Sequence, residues 1–200
     1  MFNIDLMFAE FIFECKLGNN NVDVLSDCYK VQQYSPSQRR SNSGGYHSDD
    51  LAMDDLQTNG CYHLINLITN IHAATKQLPE PYNALPMTNL WLNINKQNDY
   101  NYPHEHPDSG LSGIYYVTDT NEDNGELFMI REPSSRLVIA QNGMASDYTP
   151  SLRGMYRRSF SAGSLVFFPS HITHSVGTNH TNTPRVSLSF NMGTPSNQQH

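Results

Sequence analysis

Short apolar stretches separated by turn residues, preceded by one strongly periodic helix, predict a mainly β protein with flanking helices (α+β). The architecture they fit is a double-stranded β-helix, that is, a jelly-roll or cupin-like barrel. Three observations carry this expectation. Residues 61–77 repeat Leu64, Leu67, Ile68 and Ile71 at helical spacing. From residue 90 onward the chain is a succession of strand-length apolar runs with turn signals between them. The 200 residues suffice to bury one core. The organisation expected is one domain over 1–200, with strands and helices in 1–88 and the jelly roll in 89–192.

Taken in order, residues 2–17 alternate loosely through Phe2, Ile4, Leu6, Phe8, Phe11 and Phe13 and read as one or two strands. A turn at Gly18-Asn19-Asn20-Asn21 follows, then a short helix over Val22–Gln33 with Val24, Cys28 and Val31 on one side. Residues 35–48 read as a long polar loop, and a loop of that length in a compact domain is mobile or functional. Pro79 and Pro81 stop the main helix. Strands are expected at Leu90–Asn95, Gly113–Val117, Gly125–Ile130, Arg136–Ala140, Ser164–Phe168 and Arg185–Phe190, with turns at 123–125 and 141–143. The tail from Gly193 to His200 should fray.

Charge and cysteine usage narrow the function class. The net charge of −7 argues against nucleic acid or an anionic membrane as partner. The pairs Arg39-Arg40 and Arg157-Arg158 read as local solvated surface. No run of eighteen apolar residues exists to span a membrane. The apolar start, Met1 to Cys15, carries Asp5, Glu10 and Glu14 and lacks a basic leader, so it is a poor signal peptide. Three scattered cysteines, Cys15, Cys28 and Cys61, form no framework and fit free thiols in a reducing compartment. The expectation is a cytoplasmic protein, in a host cytoplasm if viral.

The chemistry is concentrated in Pro103-His104-Glu105-His106-Pro107-Asp108. On extended backbone, residues two apart share a face, so His104 and His106 can aim two imidazoles at one point. His106 with Asp108 has the same spacing and would supply a carboxylate instead. A third candidate, His174, follows Phe168-Pro169-Ser170, whereas His171 reads as an ordinary histidine. Two ligands from one strand end and one from a distant strand give three facial positions and leave three open. The strand that follows begins with Arg185 and is otherwise apolar apart from Ser187 and Ser189, so a buried Arg185 needs an anion.

These pieces together resemble the iron(II)/2-oxoglutarate-dependent dioxygenases, and more closely the small 2OG-Fe(II) oxygenases of marine bacteria and their phages. The resemblance rests on Ser41-Asn42-Ser43-Gly44-Gly45-Tyr46-His47-Ser48, on His104 to Ser109 with Ser112 to Val117, and on Phe168 to Val176 with Arg185 to Asn191. It implies Fe(II) held by His104, His106 and His174, with Asp108 as the alternative to His106. It further implies 2-oxoglutarate as cosubstrate and O2 as oxidant. Arg185 would bind the distal carboxylate through its planar fork, with the Ser187 hydroxyl as second donor. Asn93, Asn95 and Tyr116 match weaker cosubstrate positions. Where prolyl-hydroxylase-like relatives carry Pro-His-x-Asp, this chain has His106, which raises the charge of the site by one unit.

The activity so implied is hydroxylation of a C–H bond in an amino acid, a peptide or protein, or another small metabolite, with release of succinate and CO2. Two other readings stand beside it. One is a three-histidine cupin-type metalloenzyme that uses no 2-oxoglutarate. The other is a non-enzymatic β-sandwich, a sugar-binding or virion-associated module. Segments 35–50 and 141–160, with Tyr148, Tyr156, Arg157 and Arg158, are candidate lids. A homo-oligomer is left open.

Overall fold

The computed structural model describes residues 10–18, 21–130 and 155–193. Two antiparallel sheets face each other across a cavity. The larger has the order β1-β9-β6-β11-β4-β3 and the smaller β2-β5-β10-β7-β8. Its strands are β1 (Phe13–Lys16), β3 (Tyr46–His47), β4 (Met87–Asn95), β6 (Leu111–Tyr116), β9 (Ser164–Pro169) and β11 (Arg185–Met192). The smaller sheet holds β2 (Asn42–Ser43), β5 (Tyr100–His104), β7 (Leu127–Ile130), β8 (Met155–Arg158) and β10 (Thr173–Val176). Helices α1 (Asn21–Tyr34), α2 (Met53–Thr58) and α3 (Tyr62–Thr75) precede the long strands in the chain. The double-stranded β-helix expected from the sequence is the fold observed.

Period-two alternation explains how the larger sheet serves two surfaces at once. Leu90, Leu92 and Ile94 of β4, with Val186, Leu188, Phe190 and Met192 of β11, join one core with the helices. The intervening residues, Asn89, Trp91, Asn93 and Asn95 on β4 and Arg185, Ser187, Ser189 and Asn191 on β11, line the cavity. Against the helix-facing surface pack Val24, Cys28 and Val31 of α1 and Leu64, Leu67, Ile68 and Ile71 of α3. Each such fully buried aliphatic side chain stabilises the fold by roughly 1.5–3 kcal/mol. A second, smaller cluster (Ile114, Tyr116, Leu127, Met129, Phe160, Val166 and Phe168) joins the two sheets.

One buried charge holds the helical layer in place. Asp27 of α1 accepts hydrogen bonds from the backbone N–H of His63 (2.9 Å) and Leu64 (3.1 Å) in the first turn of α3. Lys30 Nζ meets its other oxygen at 2.6 Å. The carboxylate thus satisfies orphan donors of another helix and sits at the positive end of its dipole.

Several elements differ from the sequence expectation. The 35–48 stretch is not a plain loop: β2 and β3 pair with opposite sheets. Helix α2 and strands β5, β8 and β10 also appear where no periodic signal stood. They are short or polar, so hydrophobic periodicity does not mark them. Tyr156, Arg157 and Arg158 lie in β8, an edge strand, rather than in a lid. Arg158 there pairs with Glu14 and lies 4.9 Å over the Phe160 ring. The expected strand 136–140, the turn 141–143, the first part of the 141–160 lid with Tyr148, and the tail beyond Gly193 lie outside the described residues. Among the described residues, no helix is long and apolar enough to cross a membrane.

Candidate metal centre

Strand pairing, not sequence spacing, assembles the three histidines. In the β5–β10 ladder His174 stands directly opposite His104. Cross-strand partners have their Cβ atoms about 4.5–5.5 Å apart, so two residues seventy positions distant become neighbours. The ring centroids of this pair are 4.3 Å apart. His106 comes after β5 has ended, where the chain turns, and its backbone N–H donates to the Ser170 carbonyl (2.9 Å). That bond ties the turn to the strand pair. One ligand atom from each of His104, His106 and His174 lies within 4.8 Å of the other two. Asp108 does not join them: it is exposed, in the turn that carries the chain toward β6. His171 is likewise exposed, 3.3 Å from Glu10.

Backbone carbonyls set the tautomers of two of the rings. His104 Nδ1–H donates to the Tyr102 carbonyl (2.7 Å) and His174 Nδ1–H to the Ile172 carbonyl (2.9 Å). In both cases the acceptor is the residue two positions earlier. This leaves each Nε2 with its lone pair free, the arrangement a metal-ligating imidazole requires. His106 is held instead by packing, with the Trp91 ring 5.9 Å away, and His47 stacks on Trp91 at 5.5 Å. Phe168 closes on His174 edge-on at 4.9 Å.

Burial keeps these imidazoles neutral. It pushes His174 down to about 3 and His106 to about 4, with repulsion between the neighbouring rings adding to both. His104 is lowered by burial as well, against the opposing pull of its carbonyl bond. Neutral imidazole is the ligating form, so nothing has to be deprotonated at pH 7. A stability consequence follows from the sign. The folded values lie below the unfolded value of 6.5, so the unfolded chain binds more protons between them. Stability is therefore full above pH 6.5 and is lost as pH falls toward the folded values. Between pH 6.5 and 5 the His174 shift alone costs the metal-free protein on the order of 2 kcal/mol. Thermal melts of the metal-free protein at pH 7 and 5 check this, and a melting temperature that does not fall on acidification contradicts it.

The residues expected at the cosubstrate form a second, contiguous patch on the larger sheet, facing the same cavity. Arg185 pairs across the sheet with Asn95, and Ser187 with both Asn93 and Tyr116. All five line one cavity of about 610 Å³ together with the three histidines, within the usual range for small-molecule sites. Asn93 Nδ2 donates to Ser189 Oγ (3.1 Å) and Asn95 Nδ2 to Asn101 Oδ1 (3.3 Å). Tyr116 stacks on Phe160 at 4.9 Å, and its phenol is pushed well up by burial.

Arg185 is 2% exposed. Its Nη1 donates to the carbonyls of Asn124 (2.6 Å) and Gly177 (3.0 Å) and more weakly to Gly125 (3.4 Å). Burial brings its pKa down to about 10, so it stays charged at neutral pH. Gly125 makes the fit possible: its φ of +98° is left-handed, and a Cβ there would strike Arg185 Nη1 and the Gly177 carbonyl. Nη2 is buried, and among the described residues it meets no hydrogen-bond partner and no carboxylate pairs with the guanidinium. A buried cation with one edge anchored and the other free is a receptor for an anion.

Sequence reasoning did not single out His47, Trp91, Asn101, Ser112 or Asn191, all of which line the cavity. For Trp91 and Asn191 the alternation of β4 and β11 was a usable signal. For His47 nothing local announces that it reaches the histidine cluster.

Comparison with known proteins agrees with this geometry. The sequence profile of a family described as "Putative 2OG-Fe(II) oxygenase" matches residues 89–191. No curated protein sequence matches the chain. Among solved structures, the non-heme alpha-ketoglutarate-dependent epimerase SnoN from nogalamycin biosynthesis is 18% identical, with a TM-score of 0.61, covering 90% of this chain and 76% of that one. A prolyl hydroxylase from Trichoplax adhaerens, solved with a hypoxia-inducible-factor peptide fragment, is 11% identical with a TM-score of 0.64, covering 91% and 83%. HygX from Streptomyces hygroscopicus, solved with nickel and 2-oxoglutarate, is 10% identical with a TM-score of 0.60, covering 92% and 83%. At these identities the structures share the fold. The profile match, which spans the histidine cluster and Arg185 within more than half of the chain, decides the family: the chain belongs to the 2OG-Fe(II) oxygenases, enzymes that use iron(II), 2-oxoglutarate and O2.

Proposed function

We propose that His104, His106 and His174 hold the iron, that Arg185 holds the distal carboxylate of 2-oxoglutarate, and that the enzyme hydroxylates a C–H bond. The single observation that carries this reading is the buried, half-paired Arg185 guanidinium on the wall of the cavity into which the histidines also open. When bound, iron(II) with 2-oxoglutarate and O2 supplies the oxidising power, and the cosubstrate leaves as succinate and CO2.

The chain's own task is to bind, orient and keep dry. Three neutral imidazoles present lone pairs, two of them in fixed tautomers. The Arg185 fork matches a carboxylate through its free edge, with Ser187 beside it as second donor. Asn93, Asn95 and Tyr116 flank that position and orient the rest of the cosubstrate. Phe168 and Trp91, packed against His174 and His106, exclude water from the histidine side of the cavity. A three-histidine enzyme without cosubstrate would leave Arg185 buried with no anion to meet it.

The substrate is a small molecule or a peptide, the two kinds solved with neighbours of this fold: hygromycin B with HygX and a peptide fragment with the prolyl hydroxylase. Residues 1–88 act with 89–192 as one unit, because α1 and α3 share a single core with β4 and β11.

The test is anaerobic titration of the metal-free protein with iron(II) and then 2-oxoglutarate. The expected result is the weak visible charge-transfer band of a chelated iron–oxoglutarate complex. Iron binding without the band on adding 2-oxoglutarate would move the cosubstrate-free reading ahead, and no iron binding would sink both.

A further inference from the structure

Segment 41–48 stands outside the metal and cosubstrate groups, yet it is built tightly into the cavity. Its β2 half pairs with the histidine strand (Asn42↔Asn101, Ser43↔Tyr100) and its β3 half with the opposite sheet (Tyr46↔Ile94, His47↔Asn93). The segment therefore straps one sheet to the other. The reversal between its halves needs two left-handed residues, Gly44 (φ +66°) and Gly45 (φ +61°). A Cβ on Gly45 would come within 3.0 Å of Asn95 Nδ2. Asn42 Nδ2 donates to the Gly44 carbonyl (3.0 Å) and Tyr46 Oη to the Ser35 carbonyl (3.2 Å). Ser48 both donates its N–H to the Leu92 carbonyl (2.9 Å) and accepts the Leu92 N–H at Oγ (2.9 Å).

What this strap delivers to the cavity is the His47 imidazole. His47 is 9% exposed and stacks on Trp91 with an interplanar angle of 11°, and Trp91 is in turn 5.9 Å from His106. Its Nδ1–H donates to the Ser48 carbonyl (2.7 Å), which leaves Nε2 as an acceptor. Among the described residues no donor meets that nitrogen. Burial and the nearby Arg40 hold the ring below its usual pKa and therefore neutral. Stacking alone would be served as well by an apolar ring; a fixed lone pair would not.

The wall around it is also polar. Ser112 Oγ donates to Asn191 Oδ1 (2.9 Å), among the described residues no acceptor meets Asn191 Nδ2, and Asn89 lies opposite Asn191 in the ladder. An apolar substrate here would leave His47 Nε2 and the Asn191 amide N–H without partners, at about 1–3 kcal/mol each.

We propose that His47 is a specificity-determining residue: through Nε2 it accepts a hydrogen bond from a hydroxyl or ammonium group of a small hydrophilic substrate held beside the three histidines. The inference rests on the oxygenase site proposed above and names the class of molecule that site takes.

The test uses the full chain loaded anaerobically with iron(II) and 2-oxoglutarate. Glycerol, ethanolamine and glucosamine serve as donor-bearing probes, and toluene and anisole as probes without donors. Binding is read by saturation-transfer NMR and by perturbation of the charge-transfer band. Donor-bearing probes should bind and the other two should not. His47→Phe, which keeps the stacking on Trp91, should weaken the donor-bearing probes about tenfold. His47→Gln, which keeps an acceptor, should recover part of that loss. The inference is overturned if toluene or anisole binds as tightly, if no donor-bearing probe binds, or if His47→Phe changes nothing. Absence of the band before any probe is added is a separate failure, that of the oxygenase site itself, and the inference falls with it.

Discussion

Arg185→Ala should lower the affinity for 2-oxoglutarate about a hundredfold or more while leaving iron(II) binding within a few-fold of wild type. The magnitude follows from removing a charge-assisted, two-pronged contact to a carboxylate in a buried setting, on the order of 3 kcal/mol or more. The selectivity follows from position. Arg185 opens β11 of the larger sheet, whereas His104 and His174 sit on β5 and β10 of the smaller one. Arg185→Lys should fall between the two, because an ammonium keeps the charge but cannot offer a planar fork. The anaerobic titration reads both constants in one experiment. Equal loss of iron and cosubstrate, or loss of neither, would remove Arg185 from the role. Some stability will be lost with either change, since the carbonyls of Asn124, Gly125 and Gly177 lose their donor. Melting curves separate that effect from binding.

The parts of this architecture that were legible in the sequence are those where a sheet surface is half buried. β4 and β11 alternate between a helix-packed face and a cavity face, so Leu90, Leu92 and Ile94 announced the strand, while Asn93 and Asn95 entered only through the family resemblance. Helix α3 was equally plain, because four aliphatic residues at helical spacing have one reason to be there. The illegible parts are the strands that carry the histidines. β5 (Tyr100–His104) and β10 (Thr173–Val176) are short and mostly polar. Their inner faces serve a cavity rather than a core, so hydrophobic periodicity cannot mark them.

A second kind of information was out of reach for a different reason. Period-two arithmetic gave His106 and Asp108 equal standing, but the chain leaves extended geometry after His104. Which side chain turns inward is then set by the bond from the His106 N–H to the Ser170 carbonyl, a contact across 64 positions. His47 is a similar case. Two-residue strands have no sequence period, and only their pairing with opposite sheets brings that ring beside Trp91. The half-paired state of Arg185 depends on carbonyls from two separate loops, although a lone arginine opening an apolar strand was itself a sound reason to look for an anion.

The histidines carry the other large expected effect. His104→Ala and His174→Ala should each weaken iron(II) binding at least about a hundredfold, because losing even a group that only orients a ligand costs about 10–100-fold. Each removes a lone pair already fixed in tautomer by a backbone carbonyl, and no described carboxylate stands by to replace it. Asp108→Ala should change iron affinity less than about twofold, because an exposed carboxylate outside the cluster contributes only screened attraction. His106→Asp is the informative partner to these. A carboxylate there should keep iron bound and lower the charge of the centre by one unit, so the charge-transfer band should persist at a shifted energy. His106→Ala should weaken iron without that rescue. If instead Asp108→Ala abolishes binding and His106→Ala is silent, the turn after β5 rearranges on metal binding and Asp108 is the middle ligand. The comparison is decisive because His106 and Asp108 sit in one turn and the two assignments predict opposite outcomes, while melting curves separate the packing that the His106 ring loses beside Trp91.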